Sequence, residues 1–245
     1  MARDPPWEGA GIMVIRNLLA AVVLSAGAAG ALAGEIITWD NFPGNSYDTT
    51  RYYSSERNTL VGPSWVADDA MIEGGIPAQV LSLEWIGLRQ VLAAPKGYDK
   101  ADFAVFTRQS DGMGGFVFNE ITSQMNVEWQ LIEDGLATVG AFTAYRGRID
   151  VSAYNVFVNP GEVFFAMRLV GNPANGGTGR NFMVAAQNTN PEGHSEGAFL
   201  FNPAAGLSNF KPASFVYGEP VDFAFKVTYV IPEPSSVGLV LMGAL

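Results

Sequence analysis

An all-β fold is expected for this chain: two packed antiparallel sheets, a jelly-roll-like β-sandwich of about eleven strands. Three observations predict it. Apolar residues recur with a period of two from Glu35 to Val230. The chain carries 28 Gly and 14 Pro, which punctuate short segments. No segment holds an apolar stripe at helical spacing over three turns.

Taken in order, the strand candidates are Glu35–Trp39, Ser64–Asp68, Ala78–Gly87, Asp102–Arg108, Phe116–Ile121, Thr138–Tyr145, Arg148–Val158, Glu162–Val170, Asn181–Ala186, Gly197–Phe201 and Val221–Val230. The last is the clearest. Val221, Phe223, Phe225, Val227 and Tyr229 fall on one face, with Asp222, Ala224, Lys226 and Thr228 opposite. Glu162–Val170 follows the turn signal Asn159-Pro160-Gly161 and groups Val163, Phe165, Met167 and Leu169. In Ala78–Gly87, Leu81, Leu83 and Trp85 oppose Val80 and Ser82, which makes Trp85 a core residue. Asp111-Gly-Met-Gly-Gly115 reads as a hairpin connection. Gly171–Gly179 reads as a surface loop within one domain.

Composition excludes several classes of function. A formal charge of −10 leaves no basic patch to collect phosphates, so nucleic acid is not expected as a partner. Zero cysteines exclude a disulfide scaffold, a thiol nucleophile and cysteine-bound zinc. The one histidine, His194, stands in the loop Asn190–Gly197, and no Gly-x-Ser-x-Gly elbow exists to pair with it. It reads as a solvated loop residue. Gly176–Gly179 lacks the Gly-Lys-Ser/Thr ending of a phosphate loop.

The two ends read as addresses. Arg16, the apolar run Leu18–Ala29 and the small residues Ala31 and Ala33 form a secretory signal, cleaved before Gly34. Residues 1–12 fit no part of it, so translation is expected to begin at Met13. At the other end, Pro232-Glu233-Pro234 precedes the apolar run Val237–Leu245. Two prolines make a stiff, extended spacer that presents one carboxylate. This tail resembles the PEP-CTERM sorting signal of Gram-negative bacteria. The resemblance implies an exosortase-type membrane protease and the secretion machinery as partners, and a transient stay of the tail in the inner membrane. It also implies a destination at the outer surface or in the extracellular polysaccharide matrix. A bilayer core needs about 20 apolar residues; Val237–Leu245 is shorter, with no basic cluster after it, so the tail reads as truncated. The body, with Trp65-Val-Ala-Asp-Asp69, Leu83-Glu-Trp-Ile-Gly87 and Val221-Asp-Phe-Ala-Phe225, resembles exported bacterial β-sandwich proteins carrying this signal. The expected organisation is therefore signal 1–33, β-sandwich 34–230 and sorting tail 231–245.

Two candidate sites stand out within the body. Asp68 and Asp69, at the end of a strand and hence at the rim, together with Asp40 beside Asn41 after the first strand, offer oxygen ligands suited to a structural calcium ion. The competing account is turn chemistry, in which Asp and Asn bond their own backbone. No other cofactor is expected. Tyr52 and Tyr53, in a polar stretch, are the candidates for stacking on a sugar ring. Glu84, Glu120 and Glu128 read as outward, solvated side chains rather than a glycosidase pair. The functional expectation is a non-enzymatic, exported protein with a structural or adhesive role. The alternatives are a carbohydrate-binding module for exopolysaccharide and, more distantly, a polysaccharide hydrolase or lyase. N-terminal sequencing of secreted material is expected to begin at Gly34; any other start refutes the cleavage assignment.

Overall fold

The computed structural model describes residues 34–58, 62–90, 98–110, 116–171, 180–187 and 197–233. The signal segment, His194, the Gly171–Gly179 loop beyond Gly171, and Pro234 with the apolar tail lie outside the described residues. Among the described residues, no helix is long and apolar enough to cross a membrane.

The fold is all-β. Among the described residues sixteen strands, rather than about eleven, fill two sheets of eight. The first sheet runs β1 (Gly34–Asp40), β16 (Phe225–Pro232), β6 (Ala78–Gln90), β10 (Phe142–Asp150), β9 (Gln130–Val139). In the same sheet β11 (Phe157–Val158) and β13 (Asn181–Ala186) also pair with β6, and β2 (Tyr47–Ser54) pairs with β13. The second sheet runs β15 (Leu207–Pro212), β14 (Phe199–Asn202), β5 (Trp65–Ile72), β12 (Gly161–Gly171), β3 (Glu56–Asn58), β4 (Gly62–Pro63). There β7 (Tyr98–Ser110) pairs with β12, and β8 (Phe116–Val127) with β7. Where the register is defined the ladders are antiparallel, except that β3 lies parallel to β12 at Leu169 and Val170. It takes the side of β12 that β5 leaves beyond Met167.

The sheets share one core. From the second come Val163, Phe165, Met167 and Leu169, all of the face expected for β12; from the first come Val221, Phe223, Phe225, Val227 and Tyr229, all of the face expected for the last strand. Phe165 and Phe225 meet across the interface with ring centroids 5.9 Å apart. The second sheet also curls. β8 and β15 stand at opposite ends of its strand order, yet Phe118 lies 5.2 Å from Phe210. Between them Ala67, Phe164, Ala166 and Phe199 form a separate cluster on the outer face. Strand β12 is thus buried on both faces, as its unbroken run Val-Phe-Phe-Ala-Met permits.

Three segments depart from the expected periodicity. Trp85 and Leu83 are core residues, but Leu81 is not in phase with them. The β6–β16 register shifts between Ser82↔Thr228 and Val80↔Tyr229, so Leu81 is bulged out and Val80 turns inward. The expected strand Thr138–Tyr145 is two strands of a hairpin, because Gly140 takes a positive φ (58°) and reverses the chain. Arg148–Val158 likewise breaks after Asp150, whose Oδ1 accepts the Ser152 amide 3.0 Å away. The expected hairpin connection at 111–115 lies outside the described residues; β7 and β8, before and after it, pair antiparallel.

One close approach governs the middle of the first sheet. The Tyr145 ring lies against the backbone of Gly87, where a Cβ would come within 2.6 Å of Tyr145 Oη. Both residues are buried. The substitution Gly87→Ala is therefore expected to cost about 1–3 kcal/mol, read as a lowered midpoint in thermal or denaturant unfolding.

Candidate metal centre

Strand β14 pairs with β5 only as far as Phe199 opposite Ala67. Beyond Ala67 that side of β5 has no strand beside it among the described residues, and Asp68 and Asp69 come next. Neighbouring strand residues point to opposite faces, but at an open edge two carboxylates can turn toward the same space. Here they do. Carboxylate oxygens of Asp68, Asp69 and Asp222 all lie within 4.8 Å of one another. All three residues are buried. The expectation that Asp68 and Asp69 end a strand at the rim is corrected: they sit inside β5, and the opening is lateral.

Three distant segments hold the cluster. The Phe223 amide donates to Asp68 Oδ2 at 2.7 Å, and Asn41 Nδ2 donates to the same oxygen at 3.0 Å. Asn41 is itself clamped: its Oδ1 accepts the Phe225 amide at 2.6 Å and its Nδ2 also donates to the Phe223 carbonyl. Asp68 Oδ1 accepts the Asp69 amide at 3.0 Å. Gly197 closes the space. A Cβ there would overlap Asp222 Oδ1 and stand 2.7 Å from Asp69 Oδ1, so only glycine fits.

Burial raises the Asp68 pKa, and the Asp222 and Asp69 carboxylates raise it further; the Phe223 and Asp69 amides oppose this and do not prevail. No Lys or Arg pairs with Asp68 among the described residues. Other buried carboxylates are treated differently. Asp102 takes Arg57 and Arg168, each at 2.8 Å. Burial works against its charge, but those guanidiniums and the Asn126 amide lower its pKa overall. Glu56 accepts Arg180 at 2.7 Å and the Tyr98 hydroxyl at 2.9 Å. Asp68 thus carries a charge that no basic side chain among the described residues offsets and that a proton or a cation can neutralise. Oxygen ligands of calcium lie about 2.3–2.6 Å from the ion, so oxygens no more than 4.8 Å apart can share one.

The other expected residues are dispersed. Asp40 joins no cluster: Lys226 Nζ lies 2.8 Å from Oδ2, and Oδ1 accepts the Phe42 amide at 3.0 Å in a local turn. Its neighbour Asn41 is the residue that reaches Asp68. Tyr52 and Tyr53 do not form one platform. Tyr52 is exposed and meets Phe182 edge-on at 5.0 Å, whereas Tyr53 is half-buried against the core. Glu84 faces Arg148, Glu120 accepts the Ser123 hydroxyl and Glu128 pairs with Lys100. Asp222 was not foreseeable from local pattern, since it occupies the polar phase of a strand-like run. Pro232 ends β16 and Glu233 follows it, exposed. Gly34 begins β1.

Comparison with known proteins adds little. No family model and no curated protein matches this chain. A Clostridium difficile surface-layer-associated protein, solved as its cysteine protease and lectin-like domains, aligns over 68% of this chain at 10% identity with a TM-score of 0.37. This chain spans about a third of that one (32%). At that similarity nothing about the other protein's activity transfers.

The raised Asp68 pKa sets the sign of a pH effect. The native state holds its proton above the unfolded value of about 3.9, so this group's contribution to stability is lost as pH rises through that region and beyond. A bound cation reverses the loss at neutral pH. In melting scans at neutral pH, calcium at a hundredfold excess over its dissociation constant is expected to raise the midpoint by about 5–10 °C. Asp68→Asn and Asp222→Asn are expected to abolish the response. Identical midpoints with calcium and with chelator remove the ion and leave protonation alone.

Proposed function

We propose that this is an exported, non-enzymatic protein of a Gram-negative cell surface or extracellular matrix, with a structural or adhesive role. In this reading the chain leaves the cytoplasm on its N-terminal signal and is sorted by an exosortase-type protease through Pro232-Glu233-Pro234. The observation that carries it is the tripeptide Pro232-Glu233-Pro234 ahead of an apolar run. β16 pairs with β6 inside the first sheet and ends at Pro232, and Glu233 follows at once, exposed. Two prolines hold the segment extended around one carboxylate, a shape such a protease can read. Calcium at Asp68, Asp69 and Asp222 is the structural ion of this reading, since extracellular modules bind it at the weak end of its range, about 0.1–1 mM.

Cell fractionation tests the proposal. In a host that carries an exosortase, the protein is expected at the surface or in the matrix, and Glu233→Ala together with Pro234→Ala is expected to leave it in the envelope. Recovery of the protein from the cytosol with its leader intact overturns the reading.

A second reading, binding of exopolysaccharide, is favoured by exposed Tyr52, whose ring is braced by Phe182. It requires retention on the host polysaccharide that Tyr52→Ala reduces; no retention by the parent protein removes it.

A further inference from the structure

The curl of the second sheet brings its two outermost strands, β8 and β15, toward each other. Between them opens a cleft of about 690 Å³, lined by Phe116, Phe118, Phe199, Phe201 and Phe210 together with Lys211. Small-molecule sites span about 300–1,000 Å³, so the size fits one. Its walls are fixed before any ligand arrives. Phe118 packs edge-on against Phe199 and Phe164, with ring centroids 4.8 and 5.2 Å away. The Arg108 guanidinium stands 4.6 Å from the Phe116 ring and 5.7 Å from that of Phe199. Two of its nitrogens bond Glu162 at 2.7 and 3.1 Å, so its own charge is already met. Phe116 nevertheless stays 49% exposed, which leaves apolar surface for a ligand to cover.

Charge distinguishes this cleft from the rest of the surface. Every other Lys and Arg among the described residues pairs with a carboxylate; Lys211, exposed on β15, has no such partner among them. No Asp or Glu lines the cleft. In a chain with 24 Asp+Glu against 14 Lys+Arg, this is a local reversal of sign. Charges farther off than the screening length of about 8 Å at physiological salt count for little, so a small ligand here meets Lys211 rather than the net −10. We infer that the cleft binds a small carboxylate with an aliphatic body, the chain lying on the phenylalanine rings and the carboxylate meeting Lys211 Nζ. Rings packed edge to face make a curved wall that suits a flexible chain better than a flat ring. A sugar would set its hydroxyls against phenylalanine, which offers them no hydrogen bond.

This binding depends on neither export, sorting nor retention of polysaccharide, so its failure and theirs are separable. Octanoate, 1-octanol and octylammonium share one chain and differ in the charge of the head, and titration of the full chain followed by amide NMR shifts is the test. Octanoate is expected to bind tightest of the three and to shift residues 116–118 and 208–212, with no response at Leu131 on β9. Lys211→Glu is expected to weaken octanoate at least about fivefold, to leave 1-octanol unchanged and to place octylammonium ahead of octanoate. Its melting midpoint is expected to stay that of the parent, because Lys211 is exposed and unpaired among the described residues. Absence of octanoate shifts in the cleft overturns the inference. So does 1-octanol or octylammonium binding as tightly as octanoate to the parent protein, or octanoate affinity that Lys211→Glu leaves unchanged.

Discussion

Packing of the two sheets over β12 and β6 is the constraint on which the rest depends. With no cysteine in the chain, no covalent staple assists it. Stability rests on apolar burial, at about 1.5–3 kcal/mol for each large side chain fully removed from water, offset by the entropy of ordering the chain. Phe165, Met167 and Leu169 from β12 meet Phe225, Val227 and Tyr229 from β16, and Leu83 and Trp85 of β6 lie in the same cluster. Both long strands serve successive partners along their length. β6 carries β11 and β10 along one edge and β16 and β13 along the other; β12 carries β5 and then β3 opposite β7.

Polar ties between the sheets are added at few points, and they differ in electrostatic character. In one, Trp85 Nε1 donates to Tyr145 Oη, which donates to Asn181 Oδ1, and the Asn181 amide reaches Glu56. Arg180 compensates the Glu56 charge. In the other, Asn41 and the Phe223 amide grip Asp68, and the nearest charges acting on Asp68 are of the same sign. A compensated buried ion is insensitive to its medium. A buried carboxylate such as Asp68, with no basic partner among the described residues, favours its protonated form and so responds to the pH outside the fold.

Much of this architecture was legible in the residues. The alternation of Val221, Phe223, Phe225, Val227 and Tyr229 survives although regular pairing begins only at Phe225, because the face follows the backbone's extended path rather than its ladder. Asp68 and Asp69 were recognisable as out of place in a strand-like run. Bulges were not visible: Leu81 looks in phase with Leu83 until the pairing with β16 is known. Short or polar strands escaped too. Tyr47–Ser54 has too many polar side chains to read as a strand, and it forms one because β13 offers it a ladder.

Local pattern, read along the chain, was enough for the all-β class, the exclusion of cysteine and phosphate chemistry, the main buried faces and the two terminal motifs. All of these depend on side chains a few residues apart, or on composition. Which carboxylates share a space did not lie in that pattern. Asp222 is brought to Asp68 and Asp69 because β14 stops short along β5 and Gly197 leaves room, and Asn41 reaches Asp68 from the end of β1. Those are meetings between segments up to 184 positions apart, paired by sheet packing (Asn41 and Phe225). No rule of neighbouring residues encodes such distances; burial of the two sheets against each other creates them.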